Sequence, residues 1–306
     1  MTRLFAPRRT AGLVTMLLAV VSTVALAPGS AAESPPARPQ VAYLNHTYSV
    51  FDQATADAIE HSTYLPKFGV FQVRTTSSGE TSWTGRYLMG RETYLEMFGP
   101  NDLAPPDNVI GMTGLAVATE RRGKINTVQE RLTASGNAPT RAVQTKVFGD
   151  DVVPWFDYVF TTADYDGYFT WAMEYLPSYL DDPRAKAEPG TDPDDVRGAR
   201  VLSDDYKKRL MRDVTGVEIG VTARDLTPAR TMLQAAGYVV VDSPQGFVAR
   251  GRGTTLRYVT TDRAHAGWRR IDFALNRPVA YRHVETIGHS QLVVGPGTKA
   301  TWTFDH

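Results

Sequence analysis

Two short stretches near the start of the chain decide the fold: Val41-Ala-Tyr-Leu-Asn-His-Thr-Tyr-Ser-Val50 and Thr93-Tyr-Leu-Glu-Met-Phe98. The first alternates as a β-strand and carries His46, and the second is a strand that carries Glu96. The residues between them predict a helix and two further strands, at 52–62, 68–76 and 81–89. This order is a βαβββ unit. A histidine nitrogen and a carboxylate at these places can bind a divalent metal on the concave face of the sheet.

The same order of elements repeats further along the chain. The second copy opens with the strand Gly114–Thr119, followed by a helix at Lys124–Ala134. The third opens at Val217, has a helix capped by Thr227, and ends with a strand at Arg270–Leu275. The repeats predict an α+β fold of about three βαβββ modules, which form cupped mixed sheets with the helices on the outside.

The N-terminal segment has the pattern of a secretion signal. Arg3, Arg8 and Arg9 precede an apolar run, and Ser30-Ala31-Ala32 is a small-residue cleavage signal. The predicted organisation begins with a signal peptide at 1–32 and a Pro-rich tether at 33–40. Paired modules follow at 41–180, then a linker at 181–212, and a third module with C-terminal strands at 213–306. We therefore expect a secreted, extracellular protein, and both the Sec and the twin-arginine route stay open.

The composition argues against several classes of partner and cofactor. The chain has no cysteine, so it offers neither disulfides nor thiolate ligands. It has 33 basic and 33 acidic residues and shows no basic stripe, which argues against nucleic acid as a partner. The turn Gly251-Arg-Gly253 has no following helix, so we expect no nucleotide cofactor. We expect a small-molecule partner, no membrane association after signal cleavage, and a homodimer as one option for the assembly.

Several short motifs resemble a known superfamily. Leu44-Asn45-His46 and Tyr94-Leu95-Glu96-Met97-Phe98 open and close the first copy, Gly114-Leu-Ala-Val opens the second, and Asp164-Tyr-Asp-Gly-Tyr168 precedes its last strand. On these residues the chain resembles the vicinal oxygen chelate superfamily, which contains glyoxalases, extradiol dioxygenases and bleomycin-resistance proteins. It also looks like an uncharacterised group of secreted actinobacterial proteins.

The resemblance implies a metal held by the first and last strands of paired modules. His46 would be the first ligand and Glu96 the second. The third should lie beside Gly114, where no useful ligand stands. On the strand of the fourth ligand, Glu174 is the only carboxylate, but counting from the Asp-Gly turn puts Trp171 at the expected position. Alternation would place Glu174 on the opposite face, and an exposed position is its simpler interpretation.

The third copy offers two more carboxylates, Glu218 on its first strand and Asp272 on its last. Copies one and three would then supply four metal ligands, namely His46, Glu96, Glu218 and Asp272. One nitrogen and three carboxylates suit Mn, Fe or Mg, with Zn as a further option. In the alternative interpretation His46 is a strand histidine hydrogen-bonded to a neighbour such as Asn45, and the acids are exposed strand residues.

Two functions of different classes follow from these residues. The first is an exported metal-dependent enzyme of lyase, isomerase or dioxygenase type, in which the ion polarises an oxygen of a small oxygenated molecule. The second is a metal-free module that binds or sequesters a small molecule between aromatic walls, for which Trp83, Trp155 and Trp171 are available. The missing third ligand favours the second function, and the spacing of His46 and Glu96 favours the first.

Overall fold

The structure, a computed structural model, describes residues 38–305 and contains two eight-stranded β-sheets. The strands of the first sheet are β1 (Ala42–Val50), β2 (Val70–Ser78), β3 (Thr81–Met89), β4 (Tyr94–Phe98), β5 (Thr113–Thr119), β6 (Thr140–Phe148), β7 (Asp151–Phe160) and β8 (Tyr168–Tyr175). Those of the second are β9 (Met211–Val221), β10 (Val239–Ser243), β11 (Gly246–Gly251), β12 (Thr254–Thr260), β13 (Gly267–Val279), β14 (His283–Thr286), β15 (Ser290–Val294) and β16 (Gly297–Phe304). The α-helices are α1 (Gln53–Glu60), α2 (Leu65–Phe68), α3 (Lys124–Ala134), α4 (Pro177–Leu180) and α5 (Ala223–Ala236).

Each sheet joins two units through a central antiparallel strand pair. The first sheet has the order β2-β3-β4-β1-β5-β8-β7-β6, in which β1 runs parallel to β4 and antiparallel to β5. The second has the order β10-β11-β12-β9-β13-β16-β15-β14. The two orders coincide when every strand number of the first is raised by eight. The predicted α+β fold of repeated βαβββ modules in cupped mixed sheets is confirmed.

The second sheet adds a fourth unit to the three predicted βαβββ copies. The strand expected to end the third copy is β13, which pairs antiparallel with β9 and opens that unit. Only residues 280–282 separate β13 from β14, so this described unit has no helix. The sequence repeat does not reveal this unit, because the repeat is marked by a strand followed by a helical period.

The three predicted helices are present, and two short helices, α2 and α4, were not predicted. Asp52 caps α1 by accepting from the backbone N–H of Thr55, and α3 has the predicted limits. Helix α5 begins at Ala223 rather than after Thr227, with Pro228 inside it. Its first turn is held by a tertiary contact, since the carboxylate of Asp225 accepts from the backbone N–H groups of Asp166, Gly167 and Tyr168 at 2.9–3.0 Å.

The main core lies between the two sheets and the helices that cover them. Leu115 and Val217, from opposite sheets, are both buried in it. Buried polar contacts also cross the core: among them, the indole N–H of Trp268 donates to the hydroxyl of Thr47 at 2.9 Å, and the hydroxyls of Tyr168 and Tyr258 lie 2.6 Å apart. Each sheet therefore has one face in the core and a concave face turned outward.

Residues 181–210, most of the predicted linker, connect the two sheets through three short 3-10 helices, η1 (Pro183–Ala185), η2 (Gly198–Val201) and η3 (Asp204–Lys208). A fourth, η4 (Arg263–His265), precedes β13. Val196 is buried, and its backbone N–H donates to the carbonyl of Glu120 at 3.1 Å. Between residues 38 and 305 no helix is long and apolar enough to cross a membrane.

Candidate functional site

The concave face of the first sheet forms a cavity of about 270 Å³, which we call the first cup. Its polar lining residues are His46, Glu96, Asp107 and Gln144. Its apolar and aromatic lining residues are Tyr48, Trp83, Tyr94, Phe98, Leu103, Trp155, Phe156, Tyr158, Phe169 and Trp171. The structure thus brings the two residues that opened the sequence analysis into one cavity with mainly aromatic walls.

His46 lies on β1 with its ring in the wall of the first cup. Its side chain is buried, its ring stacks on Tyr94 with centroids 4.6 Å apart, and it meets the edge of Trp171 at 5.3 Å. The Nδ1 atom lies 2.7 Å from the amide oxygen of Asn45, which can only accept, so Nδ1 donates and Nε2 keeps a lone pair. Burial lowers the pKa of His46 to about 3. The imidazole is therefore neutral at physiological pH.

Glu96 lies on β4 beside Tyr48 of β1, with which it is in register. Its carboxylate is partly buried and has no hydrogen bond or ion pair among residues 38–305. Burial raises the pKa of Glu96 to about 7, although the charges of Arg74 and Lys146 act in the opposite direction. Near neutral pH this carboxyl group can therefore accept hydrogen bonds as an anion or donate one as an acid.

The positions in the second unit that correspond to His46 and Glu96 are Gly114 and Trp171. The strand registers show this correspondence, since His46 faces Tyr94 while Gly114 faces Phe169, two residues before Trp171. A Cβ atom on Gly114 would lie 2.0 Å from Cε1 of Tyr48, because the Tyr48 ring covers this glycine. The missing third ligand thus has a steric cause.

Glu174 lies on β8 but turns away from the first cup. Its side chain is only 6% exposed, and its carboxylate accepts from the backbone N–H groups of Gly123 and Ile125 at 2.7 and 3.0 Å and from the hydroxyl of Thr119 at 2.8 Å. It caps helix α3, whose N-cap residue is a glycine with no side-chain cap. The expected exposed position is wrong, because the helix N-terminus binds this carboxylate in the protein interior.

Glu218 and Asp272 lie in the other half of the molecule. The concave face of the second sheet forms a cavity of about 270 Å³, the second cup, lined by Thr215, Gly216, Val217, Glu218, Thr255, Arg257, Arg270, Asp272, Phe273, Lys299, Ala300 and Thr301. Asp272 accepts from Arg270 Nε at 2.9 Å and from the hydroxyl of Thr301 at 2.8 Å. The predicted set of four ligands from copies one and three is wrong, because these copies belong to different sheets.

The donor groups of the first cup do not fit a resident divalent metal. Within residues 38–305 no group of three or more His, Cys, Asp or Glu side chains is placed to hold an ion. His46 and Glu96 supply two donors, and Gly114 and Trp171 supply none. Asp107 also faces the cup, where it accepts from the hydroxyl of Tyr165 at 2.7 Å. Mn, Fe and Zn sites in enzymes commonly use at least three protein ligands.

Two cations near Glu96 were not found by sequence analysis. The guanidinium carbon of Arg74 lies 4.0 Å from the centroid of the Tyr87 ring, and Lys146 Nζ lies 5.1 Å from that of Trp155. Burial, together with the charge of Arg74, lowers the pKa of Lys146 to about 8. No local signal marks these residues, since they belong to β2 and β6 at opposite ends of the strand order.

The first sheet curls until its two edge strands touch. The amide of Gln144 on β6 donates to the hydroxyl of Ser78 on β2 at 2.6 Å, and the hydroxyls of Ser78 and Thr145 lie 3.3 Å apart. This contact joins residues 66 and 67 positions apart in the chain. It brings both edges around the cavity and gathers Arg74, Lys146 and the aromatic rings around Glu96.

Comparison with known proteins gives one family and several distant structures. A model of the family of unknown function DUF5829 matches residues 44–304. A hypothetical protein from Staphylococcus aureus is similar at 10% identity and a TM-score of 0.47, covering 81% of this chain and 96% of that chain. The Mn(II)-bound glyoxalase from Novosphingobium aromaticivorans is similar at 10% identity and a TM-score of 0.39, covering 85% and 81%. The 2,3-dioxygenase LapB from Pseudomonas sp. KL28 is similar at 9% identity and a TM-score of 0.44, covering 87% and 92%.

None of the curated proteins compared with this chain matches it significantly. The glyoxalase and the dioxygenase are of two kinds named by the sequence resemblance. Identities of 9–10% and TM-scores below 0.5 nevertheless say nothing about the activity or substrate of this chain. The function must be argued from the site itself.

Proposed function

We propose that this chain, which belongs to the DUF5829 family, binds a small aromatic molecule in its first cup without a metal. The observation that carries the proposal is the covering of Gly114 by the ring of Tyr48, with Trp171 at the remaining position. Both positions that would complete a metal site are part of an aromatic wall. Only His46 and Glu96 support the alternative hypothesis of a metal-dependent enzyme.

The walls of the cup suit a planar ring. Trp171 stacks on Phe169 with centroids 5.4 Å apart, and Tyr158 stacks on Phe160 at 5.7 Å. Offset and edge-to-face contacts with such rings contribute about 0.5–1.5 kcal/mol each beyond the area that they bury. A cavity of about 270 Å³ is near the lower end of the usual range for ligand pockets, so it suits a molecule of one or two rings.

Two acceptors in the cup can orient such a ligand. His46 is neutral and has a free lone pair on Nε2, and the carboxylate of Glu96 has no protein partner among the described residues. A ligand hydroxyl or amine would satisfy them, whereas a purely apolar ring would leave a buried carboxyl group without a hydrogen bond. The proposed ligand therefore combines an aromatic ring with a hydrogen-bond donor.

Tryptophan fluorescence can test the proposal, because Trp83, Trp155 and Trp171 line the first cup. The purified protein is titrated with 2-naphthol and with indole in the presence of EDTA. We expect saturable quenching, and a dissociation constant that is at least about tenfold higher in Glu96→Gln than in the wild type. This difference corresponds to the loss of one charge-assisted hydrogen bond. Glu218→Gln is the matched control, since it makes the same change in the second cup and should bind like the wild type.

Metal analysis of the same preparations tests the competing metal-dependent enzyme. Protein purified without chelator should contain far less than one divalent ion per chain, and added Mn²⁺ or Zn²⁺ should not raise its Tm. Stoichiometric metal in the wild type that is lost in His46→Ala and in Glu96→Ala would overturn the proposal. So would the absence of saturable quenching by both ring compounds.

Export of the chain is a second proposal, and it rests on sequence alone. The predicted signal peptide, residues 1–32, lies outside the described residues 38–305. The small-residue pattern at Ser30-Ala31-Ala32 predicts cleavage before Glu33. N-terminal sequencing of the protein recovered from the culture medium should begin at that residue, and recovery of the uncleaved chain from the cell fraction alone would contradict export.

A further inference from the structure

We propose that the second cup is a separate binding site for a small hydroxylated carboxylate. Its cavity of about 270 Å³ lies on the concave face of the second sheet and has as much room as the first cup. It is lined by three cations, Arg257, Arg270 and Lys299, and by two carboxylates, Glu218 and Asp272. The lining therefore has an excess of one positive charge at neutral pH.

One ion pair in the second cup is already complete. Asp272 Oδ1 accepts from Arg270 Nε at 2.9 Å and from the hydroxyl of Thr301 at 2.8 Å, and the charged Nη2 of Arg270 lies 2.8 Å from the same oxygen. Arg270 and Thr301 thereby fix the position of this carboxylate in the wall. This group belongs to the framework of the site and leaves the other three charges to act on a ligand.

Those three charges have no protein partner among residues 38–305. Glu218 on β9 is in register with Arg257 on β12 and with Arg270 on β13, and it nevertheless forms an ion pair with neither. Lys299 lies on β16, on the far side of β13. Two unpaired cations thus face the cavity from strands on either side of an unpaired carboxylate.

These groups define the ligand by their donor and acceptor chemistry. The planar guanidinium of Arg257 matches a carboxylate through two parallel hydrogen bonds, and the ammonium of Lys299 adds a second positive charge. The carboxylate of Glu218 can only accept, so it requires a hydroxyl or another donor on the same ligand. Gly216 leaves room for the carboxylate of Asp272, whose Oδ2 would lie 3.0 Å from a Cβ at that position, so the glycine helps to seat the framework of the site. A hydroxy acid combines these features, whereas a plain aromatic ring does not.

Calorimetric titration with gluconate tests this site. Gluconate has a carboxylate and several hydroxyls, acetate has only the charge, and glucose has only the hydroxyls. We expect saturable binding of gluconate, with acetate and glucose at least about tenfold weaker because each meets only part of the lining. Arg257→Ala and Lys299→Ala should each weaken gluconate binding about tenfold. Both residues are exposed, so the fold should persist, as circular dichroism can verify.

Arg277→Ala is the matched control, because this exposed arginine lies on β13 outside the cup. Its affinity for gluconate should equal that of the wild type. Undetectable gluconate binding, or equal affinities in the wild type, Arg257→Ala and Lys299→Ala, would show that these charges are only a solvated surface. Glu96→Gln should leave gluconate binding unchanged, so that failure of this site and failure of the aromatic site are separate results.

Discussion

The two cups have the same strand order and contrasting chemistry. The first sheet closes through Ser78 and Gln144 around aromatic rings, whereas the second presents a face lined mainly by charged and polar side chains. In the first cup, Tyr48 on β1 is in register with Glu96 on β4. In the second cup, Glu218 on β9 is in register with Arg257 on β12. The strand order supplies a cavity in both halves. The side chains on one face of each strand decide what that cavity can bind.

A substitution at Gly114 should have the largest effect on stability, since it displaces the Tyr48 ring from the aromatic wall of the first cup. Gly114→Ala places a Cβ 2.0 Å from the Tyr48 ring, which is itself packed against Phe98 with centroids 5.9 Å apart. We expect a loss of about 3 kcal/mol in the free energy of unfolding, measured by urea denaturation. On a Tyr48→Ala background the same change should cost much less. Equal costs on both backgrounds would show that Tyr48 is not the obstacle.

The second prediction concerns the partly buried carboxyl group of Glu96, which distinguishes the first cup. The folded-state pKa of Glu96, about 7, lies above its ordinary value of 4.5, so the protonated form favours folding. This contribution is fully present below pH 4.5 and is lost as the pH rises through 7. The free energy of unfolding of Glu96→Gln, taken relative to that of the wild type, should therefore increase from pH 4 to pH 8 by on the order of 2–3 kcal/mol. Denaturation curves that show the same difference at both pH values would contradict it.

The third prediction concerns helix α3, which has no counterpart in the second half of the described chain. Glu174→Ala removes the acceptor of the N–H groups of Gly123 and Ile125 and should cost about 2 kcal/mol in the free energy of unfolding. Glu174→Gln keeps the shape and one acceptor, and should cost less. Hydrogen exchange at the first turn of α3 should accelerate in the alanine variant. Unchanged exchange there would show that the cap is dispensable.

The smallest effect is expected in the second cup. Arg270→Ala removes an exposed arginine from its pair with Asp272, and such surface changes usually alter stability by less than about 0.5 kcal/mol. The Tm should stay close to that of the wild type. A large loss of stability would mean that the charged lining supports the fold rather than a ligand, which would remove the contrast between the cups.

The sequence indicated some residues of the site reliably and others not at all. Alternation along β1 and β4 places His46 and Glu96 on the face that lines the first cup, and the same rule places Glu174 on the opposite face of β8. Arg74 and Lys146 carried no signal, because their approach to Glu96 depends on contact between the two edges of the curled sheet.

The sequence by itself determined most strands, the N-cap of α1, the limits of α3, and the cup-facing positions of His46 and Glu96, because periodicity within a strand or helix is local. The tertiary structure decided which units share a sheet, that a unit without a helix completes the second sheet, and that the Tyr48 ring occupies the space above Gly114. These features depend on side chains from strands distant in sequence. Their packing follows from strand pairing and sheet curvature, which a local pattern does not encode.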